Sequence, residues 1–197
     1  MEVAYLVGTA LDPYLVGGVL GPSKVVYVNI AGRPFAFLPL FVMLFVPALW
    51  PVFARIHAQG NRGRLRSLVV GTALGGAASV CLGAVIIILA REPIFGFLSA
   101  GQLQPSVIDL LSITLLGAAS VVANVMSTLL NAIDGVRSQA IILVAAASVS
   151  LLLKFGALAL GGITPYLATS AVTYVALTTI PLCILAAKWV DRGAAKE

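Results

Sequence analysis

The chain has 197 residues, of which 60% are hydrophobic and only 10% charged, and its mean hydropathy is +1.08. A water-soluble domain of this length needs a polar surface, and this composition does not supply one. The formal net charge is +5, but the basic residues fall where membrane loops fall, so a nucleic-acid surface is not expected.

Six apolar stretches follow one another, at about 3–20, 25–54, 67–90, 107–133, 139–160 and 165–187. Hydrocarbon offers backbone groups no partner, so each must close its own hydrogen bonds as a helix. The first is 18 residues long, slightly under the roughly 20 a span needs. It follows Met1-Glu2 with no basic anchor, which predicts no secretory signal and a helix clipped of its first turns. The second covers 30 residues, roughly 45 Å of helix. It holds Pro34, Pro39, Pro47 and Pro51, which predict a bent element whose end projects past the membrane. Trp50 and Phe53 beside Arg55 read as an interfacial anchor.

The third stretch carries Gly71, Gly75, Ser79 and Gly83 at four-residue spacing, a stripe that predicts close helix packing. Residues 91–106 form the longest interruption. In the fourth stretch Ser120, Asn124, Ser127, Thr128 and Asn131 share one helical face, and Tyr166, Thr169 and Thr173 do so in the sixth. Two readings fit these stripes: hydrogen bonding between helices, or the wall of a water-filled cavity. Asp109, at the start of the fourth stretch, reads as a solvated helix-start carboxylate. His57 reads as a solvated interface residue. Cys81 and Cys183 read as small buried apolar side chains, with no further ligands to make a metal set.

If the helices alternate, Arg55, Arg62, Arg64, Arg66, Arg137, Lys188, Arg192 and Lys196 fall on one side of the membrane, against Lys24 and Arg91 on the other. This bias places both termini in the cytoplasm.

Four polar groups inside the spans carry the chemistry available: Asp12, Asn29, Arg33 and Lys154. Charges at such depth are costly, by about 2.5–3.5 kcal/mol on insertion scales, and normally face protein or water. Counted from the helix ends, Asp12, Arg33 and Lys154 lie at one level, roughly 9–12 Å below the outer edge. Asn29 precedes Arg33 by four residues and shares its face. Asp12 and Arg33 could form a structural ion pair, and Lys154 could snorkel to the surface. Alternatively Asp12 neutralises Arg33 and Lys154 leaves a surplus positive charge, suited to a phosphate or an acidic sugar. Hydrolase, metalloprotease and phosphate-loop motifs are absent, so no catalytic residue, metal or cofactor is expected, and transport is the better class.

The run Asp12-Pro13-Tyr14-Leu15-Val16-Gly17-Gly18-Val19-Leu20-Gly21-Pro22, followed by Val25 to Arg33, Pro47 to Ala54, Leu129 to Gln139 and Lys154-Phe155-Gly156, resembles a known pattern. It resembles the C-terminal half of bacterial polysaccharide and lipid-linked oligosaccharide flippases, in the superfamily that also holds the MATE multidrug exporters. The resemblance implies an all-α membrane protein, a six-transmembrane-helix bundle equivalent to one lobe of a twelve-helix MATE-like transporter. It implies translocation of an undecaprenyl-pyrophosphate-linked sugar across the bacterial inner membrane, by alternating access between two lobes. Arg33, Lys154, Asn29 and Asn124 would then be substrate-binding, and Asp12 a coupling or ion-pair group. The expected partners are the lipid-linked oligosaccharide, membrane lipids, and a missing N-terminal lobe or a second copy. The alternatives are a cation-coupled antiporter lobe, which would favour acidic cavity residues, and a non-transporting membrane scaffold or fragment.

Overall fold

A computed structural model of the chain describes residues 11–160 and 162–192. These residues are helical except for short connections. α1 is Asp12–Leu20 and α2 is Pro22–Phe45. A 3-10 turn, Val46–Leu49, joins α2 to α3, Trp50–Ala58. α4 is Arg62–Leu89, α5 Arg91–Leu98, α6 Val107–Ala132 and α7 Val136–Ala159. α8, Ile163–Thr173, runs through a π-helical segment, Tyr174–Thr179, into α9, Ile180–Arg192. The described residues thus form seven continuous rods, of which five are long and apolar enough to cross a membrane. The chain is a multi-pass membrane protein. Residues 1–10 of the expected first span lie outside the described residues, so only its second half, α1, is seen.

The second span begins at Pro22 and reaches Ala58, longer at both ends than the sequence suggests. Its 37 residues are roughly 55 Å of helix against about 30 Å of hydrocarbon. Pro34 and Pro39 are absorbed inside α2, while Pro47 and Pro51 stand in the first turns of the 3-10 segment and of α3. There the missing N–H is an orphan anyway, so proline changes the helix type without ending it. α3 buries Phe53 and Ile56 and leaves Arg55 outside. Gly60, at a φ of +67°, turns the chain back into α4, a conformation glycine adopts without steric cost. The interruption at 91–106 contains α5, whose Phe95 is fully buried against Phe35, Ala84 and Leu110.

α6 is the hub. It packs against α2, α3, α4, α7, α8 and α9, and 56% of its apolar window is buried, against 11% for the long α2–α3 element. The π-helical segment precedes Pro181, which cannot donate to the turn before it. In the same segment the Thr179 hydroxyl donates to the Ala119 carbonyl of α6 at 3.3 Å.

The expected glycine stripe divides. A Cβ on Gly83 would meet Leu38 at 2.5 Å, so this residue lets α4 approach α2. Gly71 and Gly75 have nothing within 4 Å of such an atom. With Ser79 they line a groove of about 350 Å³ between α2 and α4, beside Phe41 and Phe45. The second close-packed glycine is Gly76, one residue off the stripe, whose Cβ would meet Val121 at 2.7 Å and Val42 at 2.9 Å. Cys81 is exposed on α4 and not buried as expected, while Cys183 is half-buried; both are free thiols.

Candidate functional site

Alternation of the spans puts the Gly21 joint, α5 and the α7–α8 connection at one end of the bundle, the lysine end of Lys24. The 59–61 and 133–135 turns lie at the other, arginine-rich end. Asp12, Asn29 and Lys154 occupy the half toward the lysine end, Arg33 lies deeper, and Asn124 sits eight residues before the arginine end of α6.

Asp12 opens α1, and Lys154 sits five residues before the end of α7. The structure joins them: Lys154 Nζ donates to Asp12 Oδ1 at 2.8 Å. The Lys154 side chain is 8% exposed and that of Asp12 24%. Lys154 therefore does not snorkel, and it is not a surplus cation. Its ammonium also lies 5.8 Å from the ring centroid of Tyr166 on α8, close enough for a cation–π contribution. Tyr166 is itself fully buried, packed with Val16, Leu158, Ile163 and Leu167. Three helices are thus tied at one depth by a charge pair under an apolar cover. Removing water from around such a pair strengthens it while raising the cost of losing either partner.

Arg33 takes no part. It is exposed on α2 and has no ion-pair partner among the described residues. The expected Asp12–Arg33 pair is replaced by Asp12–Lys154, because α1 packs against both α2 and α7 and the Lys154 side chain occupies the carboxylate. With α2 starting at Pro22, Arg33 also lies deeper than counted from Val25, about 16 Å along the helix. Asn29 is exposed one turn before it and donates to the Val25 carbonyl at 3.0 Å. The four-residue spacing continues through Phe37, Phe41 and Phe45, all exposed. The outward face of α2 is therefore apolar over most of its length, with an amide and a guanidinium toward the lysine end.

Asn124 is half-buried on α6, and among the described residues its side-chain hydrogen bonds go elsewhere than Arg33 and Lys154. Its Nδ2 donates to the Ser120 carbonyl at 2.9 Å and points at Met43 Sδ of α2 at 3.9 Å. Of the sixth-span stripe, Thr173 makes an inter-helix contact: the Ser150 and Thr173 hydroxyls bond at 3.1 Å, linking α7 to α8. Thr173 Oγ1 also donates back to the Thr169 carbonyl at 2.7 Å.

One group escaped the sequence reading. Asp109 is 1% exposed, not solvated. The Tyr27 hydroxyl of α2 donates to Asp109 Oδ2 at 2.5 Å. The Ser106 hydroxyl caps the helix by accepting the Asp109 N–H at 3.1 Å. Asp109 Oδ1 is buried with no hydrogen-bond partner among the described residues. Tyr27 packs against the apolar cluster that holds Tyr166, and Lys24 Nζ lies 6.0 Å from its ring centroid. Asp109 at the third position of a helix looks solvated in any sequence. The usable signal is Tyr27, a phenol near the start of a span, one turn after Ser23 and Lys24 on the same helix face. His57, also expected to be solvated, is half-buried.

No family model matches this chain, and no curated protein or solved structure matches it.

Proposed function

We propose that this chain is one lobe of a membrane transporter that carries an anionic lipid-linked sugar, with Arg33 as its anion contact. The observation that carries the reading is the exposed Arg33 on the most exposed of the five spans. A guanidinium at that depth does not rest in acyl chains; it faces water or another protein surface. The α2 face is then one wall of a polar space, and a second lobe, or a second copy, is the other wall. The guanidinium offers a bidentate donor set that fits a phosphate or a carboxylate, and Asn29 adds a neutral donor one turn away.

Among anionic solutes, a polyprenyl-pyrophosphate sugar suits a face that joins an apolar lane at Phe37, Phe41 and Phe45 to a polar station at Arg33 and Asn29. The motif order in the sequence supports the same reading. The Asp12–Lys154 pair acts here as a strut that fixes α1 and α7, not as part of the binding set. The antiporter reading is weaker, since its acidic candidate, Asp12, is engaged by Lys154.

The test is reconstitution into vesicles, alone and with a candidate second lobe, following the movement of a fluorescent polyprenyl-pyrophosphate sugar between leaflets. The expected result is movement that falls at least about tenfold in Arg33→Ala, the loss of one charge-assisted contact. Absence of movement in every combination, or full movement in Arg33→Ala, overturns the proposal.

A further inference from the structure

The arginine-rich end of the bundle carries a charge pattern that orientation in the membrane alone does not require. Arg55, Arg62, Arg64 and Arg66 fall within a segment flanked by no acidic residue from position 13 to position 91. Arg62 and Arg66 stand four apart on α4, a like-charge spacing that destabilises a helix. None of the four forms an ion pair among the described residues.

The fold concentrates these charges. α3 and α4 fold back on each other at Gly60 and bury Phe53, Ile56, Leu65 and Val69 in one apolar cluster. Arg55, Arg64 and Arg66 are left exposed on the outside. Leu130 and Ile133 from the end of α6, and Val190 of α9, complete the same cluster. Arg137 and Lys188 are therefore carried to the same end, both exposed. Arg62 to Arg66 occupy the first turn of a helix whose apolar run begins at Leu68, which holds the guanidiniums within about 6 Å of axial rise. Trp50, half-exposed, opens α3 at a position suited to an aromatic belt. Asp134 and Asp191, also exposed at this end, are outnumbered by the six basic residues named; at the lysine end Arg91 is followed directly by Glu92 in α5.

We propose that this arginine cluster is a binding surface for the headgroups of anionic phospholipids in the adjoining leaflet. The chemistry is phosphodiester oxygens accepting from unpaired guanidiniums at headgroup depth. A cluster of this size immediately outside a span attracts anionic lipid by an amount that corresponds to about fivefold in affinity for each basic residue.

The chain's tryptophans, Trp50 and Trp189, both lie toward this end, which supplies a native probe. The protein is placed in phosphatidylcholine nanodiscs, and energy transfer is measured from tryptophan to trace dansyl-labelled phosphatidylglycerol or dansyl-labelled phosphatidylcholine. The expected result is a preference for the glycerol lipid of at least tenfold at low salt, lost at high salt. In Arg62→Gln/Arg64→Gln/Arg66→Gln the preference should fall at least tenfold, while Lys24→Gln/Arg91→Gln, at the opposite end, should keep it. Arg64 and Arg66 are exposed and Arg62 is half-buried, and an unchanged melting temperature establishes that the triple variant is folded. A second variant, Arg55→Gln, should lower the preference several-fold by itself. Equal transfer to both lipids in the native chain, or retention of the preference in the triple variant, overturns the proposal. So does competition by inorganic phosphate beyond that of chloride at matched ionic strength, because the surface would then be a free-phosphate site.

Discussion

Two regions of this bundle hold a basic side chain inside a span, and they solve the problem in opposite ways. At the corner of α1, α7 and α8, Lys154 is buried against Asp12 and over the Tyr166 ring, so the charge is compensated within the chain. On the outward face of α2, Arg33 is exposed with no acidic partner among the described residues. The first arrangement spends its charges on holding three helices together. The second leaves a charge for something outside the chain, because lipid does not accept it. The lesson is that depth in the membrane does not sort structural from functional charges; compensation does.

The largest stability effect should come from breaking the compensated corner. Lys154→Ala leaves the Asp12 carboxylate without its partner in a mostly dry site. Loss of one member of a buried pair costs about 3–5 kcal/mol, and the partial exposure of Asp12 places this case at about 3 kcal/mol or less. Asp12→Asn with Lys154→Met should recover most of the loss, as apolar or neutral replacements of buried pairs often do. Thermal unfolding of Asp12→Asn, Lys154→Met and the double variant in detergent measures the coupling. Additive losses would mean that the pair does not act as a unit.

A second contrast lies between the two aspartates. Asp12 is matched by a full charge, Asp109 by the Tyr27 hydroxyl and a helix N-terminus. Tyr27→Phe removes that donor and leaves both Asp109 oxygens without a side-chain donor among the described residues, one of them already unpartnered there. The expected loss is about 1–3 kcal/mol, the cost of stranding a buried polar group. A melting temperature equal to that of the native chain would mean that Asp109 finds another donor.

The α4 glycines sharpen the contrast between inward and outward faces at a smaller scale. Gly76→Ala forces a methyl to within 2.7 Å of Val121 and 2.9 Å of Val42, both stiff β-branched side chains. Overpacking of this kind costs about 1–3 kcal/mol, offset by about 1 kcal/mol of helix propensity, for a net loss near 1 kcal/mol. Gly75→Ala, one residue away and open, should instead be neutral or stabilise by up to about 1 kcal/mol. Unfolding of the pair side by side checks both signs.

Much of this was legible in the sequence. The positions of four spans come within a few residues, because hydrophobic length is a one-dimensional property. The Asp12 and Lys154 levels were also readable, since rise per residue is fixed. What the sequence could not tell was which charge meets which. That depends on the packing of α1 between α2 and α7, and two candidate cations at similar counted depth look alike until one is covered. Arg33 and Lys154 each sit in an apolar run, and only the fold separates them. The same limit misplaced Asp109 and two of the four stripe positions, Gly71 and Gly75. Helical periodicity assigns a residue to a face, but not a neighbour to that face.

The smallest stability effect should come from Arg33, and it tests the whole contrast most directly. Arg33→Gln removes a charge with no ion-pair partner among the described residues, on an exposed face. Surface substitutions away from packing features stay within about 0.5 kcal/mol, so the melting temperature in detergent should barely move. Detergent matters here, because it hydrates that face and withdraws the cost of exposing a charge to acyl chains. Transfer of the same variant into vesicles should then favour the glutamine over the native arginine if α2 faces lipid when the chain is alone, and should favour neither if a second lobe or copy already wets that face. A loss near 3 kcal/mol in detergent, comparable to Lys154→Ala, would instead mean that Arg33 is compensated inside the bundle, and the distinction between the two basic side chains would vanish.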